Sequence, residues 1–219
     1  MRVQKDGRIA WSIAGDIEIG PTVFSVECRD VTGDGVPELV VQTYTGGAHC
    51  CWTLYFLALE PVARVLLLYE AGNAGGVQVV DLDHDGRPEL VLGDDQFAYF
   101  DTLCYACSPA RMPLVACYRD GRFHDCTRTF PAVVRKDIGL WTAELRGLIA
   151  QTPRDDAIAQ SIRGAALGLY ATHALLGEER QGWDAVRRVA PASATNWLSR
   201  HRGRVLQWAA SRQRRLAAR

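Results

Sequence analysis

Short apolar runs separated by polar turns make up residues 1–130, a pattern typical of β-strands. Gly, Pro and Asp residues, which favour turns, bound these runs. Asp120 and Gly121 predict a tight hairpin, because this dipeptide readily adopts the positive φ angles that such a turn requires. The order of the runs repeats once, so we expect two units of roughly four strands each. The predicted strands are 23–28, 37–44, 51–59, 63–70, 77–82, 88–93, 97–100 and 114–118.

Helical periodicity replaces this pattern from about Lys136 onward. In the second predicted helix, Gly164 and Gly168 leave room for close packing against a neighbour. Gly177 is its predicted C-cap. We expect His173, on the apolar face, to be a hydrogen-bonded core residue and not a ligand. The apolar positions are Trp141, Leu145, Leu148 and Ile149 in the first helix, and Ile158, Ile162, Ala165, Ala166, Leu169, His173 and Leu176 in the second.

The starts and ends of the remaining helical segments are marked by capping residues. Thr152 and Pro153 predict the beginning of the second helix, as N-cap and first-turn proline. A short helix is predicted over 181–189, and a last helix begins after Ser193 or Thr195. Together these patterns predict an α+β protein.

Charge divides the chain at the same place as secondary structure. Residues 1–130 contain 18 acidic and 10 basic residues, a net of −8, and residues 131–219 contain 7 acidic and 15 basic residues, a net of +8. We therefore predict a β region over 1–130 and a helical region over 131–219 that packs on it. Attraction between the two regions explains the charge division, although a basic face for an external anionic partner is the alternative.

Two acidic stretches, DVTGDGVPELVV at 30–41 and DLDHDGRPELVL at 81–92, share one skeleton. Both place oxygen-bearing side chains at positions 1, 3, 5 and 9, a glycine at position 6 that permits a sharp turn, and a backbone carbonyl at position 7. A hard divalent cation such as calcium prefers roughly six to eight oxygen ligands. The candidate ligands are Asp30, Thr32, Asp34, Val36 and Glu38 in the first loop, and Asp81, Asp83, Asp85, Arg87 and Glu89 in the second.

Repulsion between closely spaced carboxylates favours a bound cation in these loops, and we predict two calcium ions. Thr32 replaces one carboxylate, so we expect weaker calcium affinity at the first loop than at the second. The alternative is that the acidic residues only form local hydrogen bonds in Asx turns. An EF-hand is excluded because the closing acidic residue stands at position 9 and strands flank the loop.

The two stretches resemble the calcium loops of FG-GAP and VCBS-type repeats, which form blades of integrin-α-like propellers. The resemblance covers the acidic positions, the glycine, the Pro-Glu-Leu exit and the apolar strand that follows. It implies blades of four antiparallel strands, with calcium held in the loop between the first two. The chain has two such repeats where propellers usually have four to eight, the FG-GAP sequence itself is absent, and the helical region lies outside the resemblance.

Seven cysteines, all within the first 126 residues, indicate a disulfide-bonded exported protein, with one thiol left over. The candidates are Cys28, Cys50, Cys51, Cys104, Cys107, Cys117 and Cys126. We expect Cys50 or Cys51 to bond to Cys28 or another cysteine. Cys117 and Cys126 fall on facing strands around the Asp120 turn, where they can form a disulfide.

Two other uses of the cysteines remain open from the sequence. His49 and Cys50 in GGAHCC suggest a base and a thiol nucleophile of a hydrolase-like enzyme, although adjacent residues of a strand point to opposite faces. The group Cys104, Cys107, Cys117, His124 and Cys126 suggests zinc, but a second Cys-x-x-Cys is absent. The sequence therefore favours a non-catalytic role.

The last 35 residues are strongly basic, with nine arginines and no acidic residue from Ala185 to Arg219. We expect a solvated arginine-rich helix that docks through its apolar stripe, and nucleic acid is not an expected partner. No apolar run of 18 residues is present, so we expect no membrane span, and the first 16 residues lack the apolar core of a secretion signal. We therefore expect either an intracellular chain or one whose signal was removed before residue 1. We predict a calcium-binding structural or recognition module of an exported bacterial-type protein, located in the periplasm or outside the cell. Its partner, a protein or a glycan, and its oligomeric state are not defined by the sequence.

Overall fold

A computed structural model describes residues 2–12, 22–47, 50–151 and 155–216. In these ranges the backbone forms strands in the first part and helices in the second, which confirms the predicted α+β class. The strands are β1 (Arg2–Lys5), β2 (Arg8–Ser12), β3 (Thr22–Arg29), β4 (Glu38–Tyr44), β5 (Trp52–Ala58), β6 (Arg64–Gly72), β7 (Val77–Val80), β8 (Glu89–Asp94), β9 (Met112–Arg119) and β10 (Arg122–Asp125). The helices are α1 (Pro131–Ile149), α2 (Asp156–Leu175), α3 (Glu179–Val189) and α4 (Ala192–Ser211).

The strands form two four-stranded sheets and one hairpin. The first sheet has the order β3-β4-β5-β6, the second has the order β10-β9-β8-β7, and β1 pairs with β2. Neighbouring strands pair in antiparallel orientation at β3–β4, β4–β5 and β5–β6 in the first sheet, and at β7–β8 and β9–β10 in the second. Each sheet therefore matches the blade that the resemblance implied, and the acidic loops join its first two strands.

The chain divides into two compact units. We call residues 1–93, 114–125 and 213–219 the β unit, and residues 94–113 and 126–212 the helical unit. This division differs from the predicted boundary near residue 130 in two places. The segment 94–113 belongs to the helical unit, and the residues after Arg212 belong to the β unit.

Each unit has its own apolar core. In the β unit, alternating residues of the strands meet, including Leu54, Phe56, Tyr69, Leu90 and Phe123, which are at most 1% exposed. In the helical unit, α2 is the central helix and contacts α1, α3 and α4. Every residue of α2 from Gly164 to Leu175 is buried. The period-two and helical patterns of the sequence thus correspond to two separate cores.

Two glycines of α2 allow the close approach that the sequence predicted. A methyl group at Gly168 would lie 2.6 Å from the Trp141 ring of α1. At Gly164 it would overlap the carbonyl oxygen of Cys107. The C-cap of α2 is Leu176, and Gly177, the predicted cap, is the next residue, with a left-handed φ of +74° that ends the helix. These positions fix the distance between α2 and its neighbours.

The predicted cap of α2 at Thr152 and Pro153 lies outside the described residues. Within the described part, Asp155 is the N-cap, and its Oδ1 accepts a hydrogen bond of 2.8 Å from the amide of Ile158. His173, near the other end of the helix, is 9% exposed and pairs with Glu178 through Nδ1 at 3.1 Å. This confirms that His173 is a hydrogen-bonded core residue.

Several element predictions were wrong. Residues 97–100 form turns instead of a strand, because Phe97 and Phe100 point into the core of the helical unit beside Trp208 and Trp197. Helix α1 begins at Pro131, five residues before the predicted start, since proline is favoured at the first helical position. The last helix begins at Ala192, before the predicted start.

The hairpin of β1 and β2 was not predicted from the sequence. Asp6 and Gly7 form its turn, with φ of 50° and 75°. This is the same Asp-Gly signal that identified the turn at Asp120, where β9 and β10 form the predicted hairpin. Within the described ranges, none of the helices is both long and apolar enough to cross a bilayer.

Candidate metal centre

The second acidic loop brings three carboxylates together between β7 and β8. Asp81, Asp83 and Glu89 each contribute an oxygen, and these oxygens lie within 4.8 Å of one another. Among the described residues, this is the group of three or more His, Cys, Asp or Glu side chains whose ligand atoms lie close enough together to bind one ion. Asp83 is exposed, Asp81 is half-buried and Glu89 is 5% exposed, so the group forms a small cup that opens to solvent.

Local hydrogen bonds explain why the sequence folds into this cup. The Oδ2 atom of Asp81 accepts a hydrogen bond of 2.9 Å from the amide of Gly86, which curls the loop around the first carboxylate. Gly86 has φ of +86°, a conformation that other L-residues adopt with strain. The Oε2 atom of Glu89 accepts a hydrogen bond of 2.9 Å from the amide of Leu82, which ties the end of the loop to its beginning.

The first loop repeats this frame residue by residue. Asp30 accepts from the amide of Gly35 at 2.8 Å, and Glu38 accepts from the amide of Val31 at 2.9 Å. Gly35 has φ of +83°, matching the glycine of the second loop. The two stretches are therefore one structural motif present twice, as their shared spacing predicted.

The two loops differ in the residue at position 3. The hydroxyl of Thr32 donates to Glu38 Oε1 at 3.3 Å, whereas Asp83 occupies that position in the second loop. The first loop thus offers one charge fewer. Its remaining acidic residue, Asp34, uses Oδ1 to accept from the amide of Val36 at 2.8 Å.

The closing glutamate of each loop has a raised pKa. Burial raises the pKa of Glu89 above its ordinary value, and repulsion from Asp83, Asp85 and Asp81 adds to the increase, while the Leu82 hydrogen bond opposes it. Burial likewise raises the pKa of Glu38. A buried carboxylate close to other negative charges is a site at which a cation gains binding energy.

Not every predicted ligand lies in the three-carboxylate group. Asp85 directs Oδ1 to the amide of Arg87 at 2.8 Å, which is the Asx-turn bond that the alternative interpretation expected. Both Arg87 and its counterpart Val36 are exposed at position 7, where their side chains leave the loop. Asp85, Arg87 and Val36 remain predicted ligands, through a second carboxylate oxygen or a backbone carbonyl.

The two loops lie against each other within the β unit. A methyl group at Gly33 would lie 2.8 Å from Cγ and 3.1 Å from Cα of Arg87. The sequence did not reveal this contact, because the two residues are 54 positions apart in the chain. A change in the second loop can thus reach the first through Arg87.

Sequence reasoning also missed the residues at position 2 of each loop. Val31 and Leu82 supply the amides that hold the closing glutamates, and Val31 is fully buried. The signal was present, since both loops have a branched aliphatic residue immediately after the first aspartate. An apolar side chain here anchors the amide that orients the glutamate.

The cysteines are mostly oxidised. Cys50 is bonded to Cys51, and Cys104 to Cys107. Cys117 and Cys126 are disulfide-bonded as well, while Cys28 is an exposed free thiol. The odd count thus leaves one thiol, as expected, but Cys50 pairs with its neighbour and not with Cys28.

The alternative sites depend on these same sulfur atoms. His49 lies outside the described residues, and Cys50 is in a disulfide, a state without a thiolate for nucleophilic attack. The zinc group requires reduced cysteines at 104, 107, 117 and 126, and all four are oxidised here. His124 instead accepts a hydrogen bond from Arg122 Nε at 3.3 Å. Zinc at this group stays a prediction for a reduced form of the chain.

Comparison with known proteins agrees with the geometry of the loops. The model of the FG-GAP-like repeat matches residues 30–92, a range that contains both loops. A probable thylakoid lumen protein of Synechocystis sp. is 27% identical over 156 residues, which is 68% of the chain and 43% of that protein. The chain therefore spans less than half the length of this relative. No solved structure matches the chain. Residues 30–92 thus match an FG-GAP-like repeat, which confirms for that part of the chain the resemblance predicted from the two acidic stretches.

Proposed function

We propose that the β unit is a calcium-binding structural and recognition module of an exported protein. The observation that supports this most strongly is the convergence of Asp81, Asp83 and Glu89 within 4.8 Å. Three negative charges at this separation repel one another, and a divalent cation converts the repulsion into attraction. Oxygen donors in a flexible loop suit calcium better than zinc, which prefers nitrogen and sulfur.

Calcium would act on this module as a clamp. The cation neutralises the carboxylates of the second loop and holds β7 and β8 at a fixed separation. Because Gly33 touches Arg87, a rigid second loop also restricts the first loop. The first loop, with Thr32 in place of a carboxylate, takes calcium more weakly.

Recognition is the second half of the proposal. A rigid β unit presents the loop of residues 45–51 to a partner, and the helical unit presents residues 101–113. Of the first loop, residues 45–47, 50 and 51 are described, and Thr45 Oγ1 accepts from the amide of Cys51 at 2.7 Å. The acidic loops do not identify the partner, a protein or a glycan, so a binding screen is needed to find it.

Export is supported by the cysteines and by the relative. Six of the seven cysteines are in disulfides, which persist in oxidising compartments. The relative is named as a lumen protein, at 27% identity. Both observations agree with a periplasmic or extracellular location.

Thermal unfolding with calcium and with excess chelator tests the proposal, combined with metal analysis of the same sample. We expect calcium to raise the midpoint by several degrees, because an ion that binds only the folded state stabilises it. Asp83→Asn should remove most of this increase. Asp120→Asn, an exposed acidic residue outside the loops whose positive φ asparagine tolerates, is the matched control and should behave as wild type. Equal midpoints with and without calcium would refute the clamp.

A further inference from the structure

A disulfide of the helical unit joins one exposed and one buried cysteine. Cys104 and Cys107 are bonded across a single turn of 3-10 helix that spans Tyr105–Cys107. Cys104 is exposed, whereas Cys107 is only 6% exposed. An attacking thiolate can therefore reach one end of this bond and not the other.

The first turns of α2 hold the buried half of the motif in place. The Sγ atom of Cys107 lies 3.7 Å from the carbonyl oxygen of Ala157. The Oε1 atom of Gln160 accepts a hydrogen bond of 2.7 Å from the amide of Cys104. Gly164 lets the helix backbone approach the carbonyl of Cys107 directly. The motif thus packs directly against the first turns of α2.

An aromatic surface adjoins the accessible sulfur. Tyr105 follows Cys104 in the chain, and its ring lies 5.4 Å from that of Tyr99. Tyr99 is 52% exposed, which is high for a large aromatic side chain. Aromatic rings with exposed faces suit the side chains and backbone of a polypeptide.

The other four disulfide-bonded cysteines are less exposed than Cys104. Cys117 is 3% exposed, and Cys50, Cys51 and Cys126 are partly covered. An exposed cysteine bonded to a buried one is therefore a property of the Cys104 and Cys107 pair. Access to the attacked sulfur is one of the factors that set the rate of thiol–disulfide exchange.

We propose that Cys104 and Cys107 form a thiol–disulfide exchange site that oxidises a pair of cysteine thiols in a polypeptide. A substrate thiolate attacks Cys104 Sγ, which forms a mixed disulfide and releases Cys107 as a thiolate that takes a proton from water. The second substrate thiolate then attacks the substrate sulfur of the mixed disulfide and releases Cys104. The substrate loses two electrons and two protons, and the Cys104 and Cys107 disulfide gains them. This activity does not depend on calcium.

A synthetic peptide with two reduced cysteines is the probe for a single turnover. Oxidised full-length protein in a Cys28→Ser background is mixed with the peptide, and products are mapped by mass spectrometry after acid quenching. We expect one peptide disulfide for each protein molecule, with reduction confined to Cys104 and Cys107. A peptide that stays reduced, or reduction elsewhere first, overturns the proposal.

Two single variants test the asymmetry of the site. In Cys107→Ser, Cys104 is a free exposed thiol that should form a lasting mixed disulfide with the oxidised peptide. In Cys104→Ser, Cys107 should react at least about tenfold more slowly, because it is buried. Far-UV circular dichroism shows whether each variant is folded. In the reduced wild-type protein, the alkylation rates of the Cys104 and Cys107 thiols provide the same comparison of reactivity. Equal reactivity of the two thiols in the folded protein contradicts the assignment.

Discussion

Glu89→Gln separates electrostatic repulsion in the second loop from its hydrogen bonding. Glutamine has nearly the same shape, and its side-chain oxygen can still accept the hydrogen bond from Leu82. The substitution removes only the negative charge. Glu38→Gln is the matched change at the same position of the first loop, where the carboxylate accepts an equivalent hydrogen bond from Val31.

The distances in the loop set the magnitude of the effect. Two unit charges 4.8 Å apart, the outer limit for the oxygens of this group, repel by about 3.5 kcal/mol at an effective dielectric of about 20 and by about 0.9 kcal/mol in water. Glu89 faces two such charges, at Asp81 and Asp83, in a cup that is open to solvent. We therefore expect Glu89→Gln to raise the free energy of unfolding in chelator by about 1–3 kcal/mol.

Calcium should reverse the sign of this effect. With saturating calcium the wild-type loop gains the attraction of three carboxylates for the ion, and Glu89→Gln loses one of them. The variant is then less stable than the wild type. Glu38→Gln should give a smaller calcium-dependent loss, because we propose that the first loop binds the ion more weakly.

The pH dependence of this difference follows from the raised pKa of Glu89. The folded state binds the proton of Glu89 more tightly than the unfolded state does, so protonation stabilises the fold. That stability is complete below the pKa of unfolded Glu89 and is lost as the pH rises through the higher pKa of the folded state. In chelator, the advantage of Glu89→Gln should therefore be largest at neutral pH and should shrink as the pH falls into this window.

Urea unfolding followed by circular dichroism measures these free energies in chelator and in calcium. The wild type, Glu89→Gln and Glu38→Gln are compared at neutral pH and at two lower values. A Glu89→Gln variant that is less stable than wild type in chelator would show that repulsion does not dominate the loop. A variant that keeps the full calcium response would show that Glu89 is not a ligand.

Further predictions concern the helical unit, and urea unfolding measures each of them. Gly164→Ala should destabilise the protein through overlap with the backbone that it touches, whereas Gly147→Ala, in open space on α1, should stabilise it by about 0.5–1 kcal/mol; equal effects would contradict the packing. Asp94→Asn should cost about 3 kcal/mol, because it breaks a fully buried ion pair of 3.6 Å with Arg212; a neutral effect would show that the pair is dispensable. Glu178→Gln should lose stability above the ordinary carboxyl pKa and approach wild type in acid, since the hydrogen bond from an arginine holds the pKa of Glu178 low; a loss independent of pH would exclude an electrostatic cause.

The acidic loops were predictable because their geometry is local. Their hydrogen bonds join residues at most seven positions apart, as between Leu82 and Glu89. Side-chain spacing and the glycine at position 6 are enough to define such a turn. The same holds for the hairpins at Gly7 and Gly121, although only the second was recognised.

Contacts between distant residues explain most of what the sequence did not predict. Residues 97–100 have the aromatic composition of a strand, yet Phe97 lies against Trp208, more than a hundred positions away. A pattern of four residues cannot distinguish a strand from an aromatic turn that fills a core. The helical unit therefore gains the segment 94–113, which composition assigned to the β region.

Cysteine pairing was predicted only in part for a related reason. Composition shows that disulfides form, but pairing depends on which sulfur atoms meet in the folded chain. We expected Cys50 or Cys51 to bond to Cys28 or another cysteine, and the two are bonded to each other. Both Cys104 and Cys107 contact α2, but only Cys107 is buried there.

The most direct test of the calcium proposal is a titration followed by the amide signals of Gly35 and Gly86 in nuclear magnetic resonance. Each amide donates to the first aspartate of its own loop, at 2.8 Å and 2.9 Å, so each signal reports on one loop. We predict that both signals shift and that Gly86 saturates at a lower calcium concentration than Gly35. Signals that do not respond to calcium, or a Gly35 signal that saturates first, would contradict the proposal.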